Sequence, residues 1–231
     1  MMAQKGGILM RIYRKGYTVL LTVAIILVML SASIAAPILC RPFYYAHIHA
    51  LDLPEKTAYT EEEIREAYDE MLDFCLFDTE FRTGILPWSE AGKAHFADCA
   101  ELFRLDFRIL AGSMLVLLLC GILYRRGIRP VAILGRGPLF WSGGLPLVLF
   151  AVIGGLAAMD FDRAFVLFHS LFFPGKSNWI FDPETDGIIT ILPEAFFRNC
   201  GILIVVLIGL ISISLLAADR RKRRKDCCRT G

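Results

Sequence analysis

The chain alternates between long apolar runs and polar, largely acidic stretches, and four of the apolar runs, 17–40, 107–124, 139–158 and 200–217, set the architecture. Each is close to the roughly 20 residues that cross a hydrocarbon core about 30 Å thick. Lipid offers no partner to backbone N–H and C=O groups, so each run is expected to be a helix. Shorter helices are predicted between them. Over 61–76, Ile64, Ala67, Tyr68, Met71, Leu72 and Cys75 recur at helical spacing, with Glu62, Arg65, Glu66, Asp69, Glu70 and Asp73 on the opposite face. Thr60 with Glu63 forms a capping box at its start. A turn is expected at Thr83-Gly84. Ser89 is then a candidate N-cap for a helix that runs unbroken through Phe107 into the second span.

Further along, Phe161, Phe165, Phe168, Phe172 and Phe173 cluster around His169, so this short helix is expected to lie along the membrane interface or dip into it. Trp179 and Phe181 continue an aromatic belt of the kind found at headgroup depth. Asp182-Pro183 breaks the helix. A short apolar run from Ile188 to Leu192 follows, and Pro193-Glu194-Ala195-Phe196-Phe197 leads into the last span. The expected fold is an all-α membrane protein: four transmembrane helices with a small, mostly helical extracellular cap.

Composition supports that class, with 56% hydrophobic residues alongside 21% charged ones gathered in blocks. The blocks also orient the chain. Lys5, Arg11, Arg14 and Lys15 precede the first span; Arg125, Arg126, Arg129 and Arg136 lie between the second and third; Arg220, Arg221, Lys222, Arg223, Arg224, Lys225 and Arg229 follow the fourth. The positive-inside rule puts all three segments, 1–16, 125–138 and 218–231, in the cytoplasm. Segments 41–106 and 159–199 then face outward as the cap and an interfacial segment. They carry every acidic residue except Asp219 and Asp226. A basic run directly after a span reads as a topology anchor touching anionic phospholipid, and nucleic acid is not an expected partner. The first span resembles a cleavable signal, because basic residues precede it and Ser31-Ala32-Ser33-Ile34-Ala35-Ala36 ends it. Its length and Pro37 favour an uncleaved anchor.

Two outward-facing histidines are the candidate chemistry. His95 lies in the Ser89 helix with Asp98 three residues on, sharing its face. His169 lies in the phenylalanine-rich segment. Imidazole titrates near neutrality and moves protons at physiological pH. His47 and His49 alternate, which would suit a metal in a strand, but no third ligand is evident and a structural role is favoured. Cys75 and Cys99 both face the side where a disulfide is permitted, and are read as small apolar helix residues. Cys227 and Cys228 beside the basic tail would be acylation sites in a eukaryotic host, a reading nothing else supports. No nucleotide loop, metal cluster or serine or cysteine nucleophile motif calls for a cofactor.

One pattern is more specific. Phe165-Val166-Leu167-Phe168-His169-Ser170-Leu171-Phe172-Phe173, then Trp179-Ile180-Phe181-Asp182-Pro183-Glu184-Thr185-Asp186, then Leu192-Pro193-Glu194-Ala195-Phe196-Phe197, resembles the Lit-like lipoprotein intramolecular transacylases, bacterial integral membrane proteins. Upstream Phe43-Tyr44-Tyr45, the acidic helix and the Ser89-Glu90 to His95 to Asp98 stretch occur in the same order. Phe96-Ala97-Asp98-Cys99 departs from the family's Met-x-Asp-Val run after the histidine, while the His-x-x-Asp core is kept.

The resemblance implies a four-helix enzyme of the bacterial plasma membrane, multi-pass, with its active site at the outer face. Its substrates would be diacylglyceryl lipoproteins, and it would move the sn-2 acyl chain to the α-amine of the N-terminal cysteine, giving a lyso-form lipoprotein. The family histidines map onto His95 and His169. One would serve as general base and the other as acid or oxyanion donor, with His169 favoured as base. Asp98 would orient an imidazole. Phe165, Phe168, Phe172, Trp179, Phe181, Asp182, Asp186 and Glu194 would shape the pocket that clamps the acyl chain and glyceryl. Two other classes compete. One is a non-catalytic accessory or sensor protein whose acidic cap binds a partner. The other is a transporter, which is disfavoured because no acidic residue interrupts a span and no internal repeat appears.

Overall fold

The computed structural model describes residues 2–230, with side chains from 10 to 228. The side chains of Lys5 and Arg229, counted above among the orienting cations, therefore lie outside the described residues. Among the described residues nine helices follow in chain order: α1 Met2–Leu39, α2 Arg41–Ala50, α3 Leu53–Thr57, α4 Glu61–Phe77, α5 Glu90–Arg125, α6 Pro138–Met159, α7 Phe161–Phe172, α8 Ile188–Ile191 and α9 Glu194–Thr230. Four of them, α1, α5, α6 and α9, are long and apolar enough to cross a membrane. The all-helical expectation is met, and α5 is the single unbroken helix that Ser89 and the second apolar run predict.

The chain forms two compact units. The first comprises 1–33, 108–153 and 205–231. Its contacts run through small and polar side chains. Tyr17 donates to the Cys120 carbonyl at 2.8 Å, Val131 N–H donates to Thr18 Oγ1 at 2.9 Å, and Ser142 Oγ donates to the Thr22 carbonyl at 3.3 Å. Gly143 lets α6 approach α9 so closely that a Cβ there would lie 2.7 Å from the Ser212 carbonyl oxygen. Small residues at a helix–helix contact are how helices associate where apolar burial gives no advantage over lipid. Large apolar side chains such as Leu118, Val148 and Leu210 remain exposed, as they would toward acyl chains.

The second unit comprises 34–107 and 154–204. It has a conventional core. The apolar face of α4 is buried as its spacing predicts, with Ile64, Ala67, Tyr68, Met71, Leu72 and Cys75 all inside. Each fully buried large aliphatic side chain contributes roughly 1.5–3 kcal/mol. The capping box forms, Glu63 N–H donating to Thr60 Oγ1 at 3.2 Å and Thr60 N–H to the Glu63 carboxylate at 2.7 Å. Tyr44 of α2 stacks on Tyr68 at 3.7 Å and donates to the Ile191 carbonyl at 2.9 Å, joining α2, α4 and α8. Arg41 pairs with both Asp69 and Asp73, so part of the acidic face of α4 is engaged rather than simply solvated. The expected turn at Thr83-Gly84 is present. Gly84 has φ +56°, which glycine adopts at no steric cost.

The strand considered for His47 and His49 is instead α2. Residues two apart on a helix point in nearly opposite directions, so the pair cannot share a ligand. His47 Nδ1 bonds the Phe43 carbonyl at 2.6 Å and its Nε2 meets Asn199 at 3.0 Å, while exposed His49 lies 3.2 Å from the Glu61 carboxylate.

Candidate functional site: two imidazoles in an aromatic box

The site lies wholly within the second unit and is built from the start of α5, the end of α7 and the loop that follows α7. Ser89 caps α5 as expected: its Oγ accepts from Gly92 N–H at 3.0 Å. The same hydroxyl donates to the Asp186 carboxylate at 2.9 Å, and Ser89 N–H donates to Asp186 Oδ1 at 2.9 Å. A buried carboxylate therefore sits at the N-terminus of α5, where the helix dipole favours negative charge. The sequence between Asp182 and Asp186 presents it. Glu184 N–H donates to Asp182 Oδ1 at 3.0 Å and Asp186 N–H to the Asp182 carbonyl at 2.7 Å, closing a turn. Asp182 and Asp186, assigned above to the pocket wall, thus hold the backbone that carries His95.

Gly92 makes this lock possible. A Cβ there would fall 2.2 Å from Asp186 Oδ1 and 3.1 Å from Phe181 Cε1. Gly92→Ala is expected to destabilise the protein by about 1–3 kcal/mol, as overpacking does, read as a lower melting temperature in detergent. Gly112→Ala on the same helix meets nothing within 4 Å. It is expected to hold or raise that temperature, since alanine is the better helix former.

Six residues beyond Ser89, His95 is only 5% exposed. Its ring centroid lies 5.0 Å from Phe173, 5.5 Å from Phe181 and 5.8 Å from that of His169. His169 stands in the last turn of α7, a helix capped by Asp160, whose carboxylate accepts from Arg163 N–H at 2.9 Å. It is 7% exposed, flanked by Phe165 at 4.2 Å and stacked on Trp179 at 4.6 Å. Phe168 meets it edge-on at 5.5 Å, and Phe172 packs on Phe168 at 4.7 Å.

Burial disfavours the charged form of both rings. It pushes His95 down to about 4, with His169 and Lys176 adding to the effect and Asp98 opposing it. Burial also lowers His169, against an opposing bond to the Phe165 carbonyl. Both are therefore neutral at pH 7. His169 Nδ1 lies 2.8 Å from that carbonyl, which can only accept, so the ring carries its proton on Nδ1 and leaves Nε2 bare. His95 Nδ1 is buried without a protein partner, and its Nε2 lies 3.5 Å from Cys99 Sγ.

Asp98 bonds neither ring. It accepts from Lys176 Nζ at 2.5 Å and Asn178 Nδ2 at 3.1 Å. Burial alone would raise its carboxyl; those two bonds outweigh it and hold the group below the ordinary value. Trp179 Nε1 donates to the Lys176 carbonyl at 3.1 Å, so Asp98 ties down the loop that presses Trp179 onto His169. Lys176 and Asn178 were not foreseen, because nothing local marks a partner 80 residues away. Glu194 shares a hydrogen bond with Asp162, which raises its carboxyl. Among the described residues, no group of three or more His, Cys, Asp or Glu side chains is placed to hold a metal ion. Cys75 is a free thiol that donates to the Phe96 carbonyl at 3.6 Å, and Cys99 is likewise unbridged.

A family model described as "Lipoprotein intramolecular transacylase Lit" matches residues 19–197. Among solved structures, the membrane integral lipoprotein intramolecular transacylase Lit from Bacillus cereus superposes with a TM-score of 0.84 at 24% identity, over 94% of this chain and 98% of that one. A variant of the same protein with one histidine replaced by arginine gives 0.80 at 22% identity over 98% and 99%, and a histidine-to-alanine variant gives 0.77 at 23% over 99% and 100%. At these identities the likeness shows the shared fold. No curated protein sequence matches significantly. The family match extends over most of the chain, including both histidine segments, and on it the chain belongs to the Lit lipoprotein intramolecular transacylase family: it is a multi-pass integral membrane acyltransferase.

Proposed function

We propose that this protein moves the sn-2 acyl chain of a diacylglyceryl lipoprotein onto the α-amine of that lipoprotein's N-terminal cysteine, with His169 as general base and His95 as general acid. The observation that carries the reading is a pair of neutral, buried imidazoles with ring centres 5.8 Å apart inside an aromatic box. The reaction needs one proton taken and one given. As the amine nitrogen bonds the ester carbonyl carbon, its proton passes to His169 Nε2. As the carbon–oxygen bond to the glyceryl breaks, the departing oxygen takes a proton from His95. Transfer of the proton on His169 back to His95 restores both rings, and the net change is acyl on nitrogen and a free sn-2 hydroxyl. Positioned acid and base groups each contribute typically about 10²–10⁴-fold.

Nucleophile and ester belong to one molecule, so no acyl-enzyme is needed. Attack closes a medium-sized ring through the cysteine nitrogen, Cα, Cβ, sulfur and two glyceryl carbons. Such a ring is floppy, and holding its ends together is where a rigid pocket gains most. Phe165, Phe168, Phe172, Trp179 and Phe181 supply apolar walls for the acyl chain and glyceryl. The distribution of basic residues supports cytoplasmic termini, with 41–106 and 159–199 on the outer side, where phospholipid acyl chains would also meet the exposed faces of Leu167 and Leu171.

The test uses purified full-length protein and a synthetic diacylglyceryl lipopeptide bearing an isotope-labelled acyl chain at sn-2 only. Mass spectrometry of the product is expected to show the label amide-linked on nitrogen. Label retained at sn-2, or lost as free fatty acid, would overturn the proposal.

A further inference from the structure

Cys99 follows His95 by four residues on α5, so the two side chains share one face of the helix. Sγ lies 3.5 Å from His95 Nε2, within reach for a sulfur hydrogen bond. A cysteine beside a histidine suggests a thiolate–imidazolium pair, but the surroundings oppose it. Burial pushes the Cys99 thiol up to about 12, with Asp98 adding to the effect, while the ring is pushed down to about 4. The pair is thus a thiol facing a neutral imidazole. It has two possible arrangements: S–H donating to a bare Nε2, or Nε2–H donating to sulfur. Sulfur is a weak acceptor, whereas the bare nitrogen of a neutral imidazole is a strong one, so the first arrangement prevails. The ring proton then resides on Nδ1, the buried nitrogen that no protein group satisfies.

We infer that Cys99 is a positioning residue that selects the Nδ1–H tautomer of His95, so that the ring meets its substrate as a proton donor. This rests on the two-histidine reading and sharpens it. The Phe165 carbonyl leaves His169 with a bare Nε2, and the Cys99 thiol leaves His95 with a free N–H. One ring is prepared as base and the other as acid before any substrate arrives. The unsatisfied Nδ1–H acquires a purpose as well, since a buried donor without a partner costs about 1–3 kcal/mol. The sn-2 ester oxygen is the acceptor that would relieve it.

The tautomer is measurable without any assay of activity. In full-length protein labelled with ¹⁵N-histidine in detergent at pH 7.5, the His95 signals are identified as those lost in His95→Gln. They are expected to show a protonated Nδ1 and a bare Nε2. Cys99→Val, similar in volume but without a donor, is expected to give a mixture of tautomers and a kcat lower by about five- to tenfold at nearly unchanged KM, the size of one modest hydrogen bond. Cys99→Ser should restore the single tautomer and most of the lost rate. A protonated Nε2 in the wild type, or one unchanged tautomer in Cys99→Val, would overturn the inference. If Cys99→Val does not fold, the wild-type spectrum decides alone. Failure of the wild type to transfer acyl groups at all would sink the two-histidine reading instead, with the spectrum still reporting on Cys99.

Discussion

Replacing His169 by alanine is expected to slow acyl transfer by about 10²–10⁴-fold, and His95→Ala to do the same, with the double variant no worse than the slower single one. The non-additivity follows from the proton path. In the proposed path the base must pass its proton on and the acid must be recharged, so removing either ring would strand the other. The loss should appear in kcat, with KM little changed, because the proposal gives the acyl and glyceryl groups to the walls formed by Phe165, Trp179 and Phe181, which pack around the rings. His49→Ala is the matched control. That ring is exposed and lies beside the Glu61 carboxylate, so its removal should leave the rate intact. His47→Ala should instead lower the melting temperature, since both ring nitrogens are engaged, by the Phe43 carbonyl and by Asn199. Initial rates of lipopeptide conversion, followed by mass spectrometry on variants that still melt cooperatively, separate these outcomes. A full-rate His169→Ala enzyme would remove the base from the mechanism.

Periodicity and capping made the helices legible. The capping box at Thr60, the N-cap at Ser89 and the unbroken run into the second span are local rules acting over a few residues, and the structure follows them. The two histidines were legible in the distinctive patterns around them, and the structure brings their ring centroids to 5.8 Å of one another. Their partners were not. Asp98 looked like a triad carboxylate because it lies three residues from His95 on one helix face, yet Lys176 and Asn178 reach it first from a loop across the site. Asp186 looked like a pocket residue because it follows the aromatic motif, but its carboxylate is used up by the start of α5. Spacing reveals which residues share an element. It does not reveal which distant donor arrives at a carboxylate. For His47 and His49, alternation would have suited a metal only in a strand, and the structural role that was favoured fits the helix found there, whose Tyr44 and Ile48 are buried in the core.

Acidification from pH 7 to about 4.5 is expected to destabilise the protein more than its surface histidine content would suggest, and His95 is the reason. In the unfolded chain this ring takes up a proton near its ordinary 6.5; in the folded protein it does so only near about 4. Between those values the unfolded state binds more protons, so stability falls as pH falls through that window and is fully present above it. Holding the ring neutral over that span is a stability difference on the order of 3 kcal/mol once pH passes below both values. His169, also lowered by burial, adds in the same direction. The carboxyl of Asp98 is held low, so its own contribution is lost only at more acidic pH. Melting temperatures measured in detergent from pH 7.5 to 4.5 should drop steeply below about 6.5 for wild type, and His95→Gln should flatten part of that slope. The rate should follow a different profile. Both imidazoles are already neutral at pH 7, so their protonation limb belongs below 6.5, while a rise on the alkaline side should track the substrate's α-amine near about 8. A second acid limb at or above 6.5, beyond the amine's own and persisting when the rate is corrected for the amine's free-base fraction, would mean the working rings are solvated, and the buried aromatic box around His95 and His169 would not be the form of the protein that turns over.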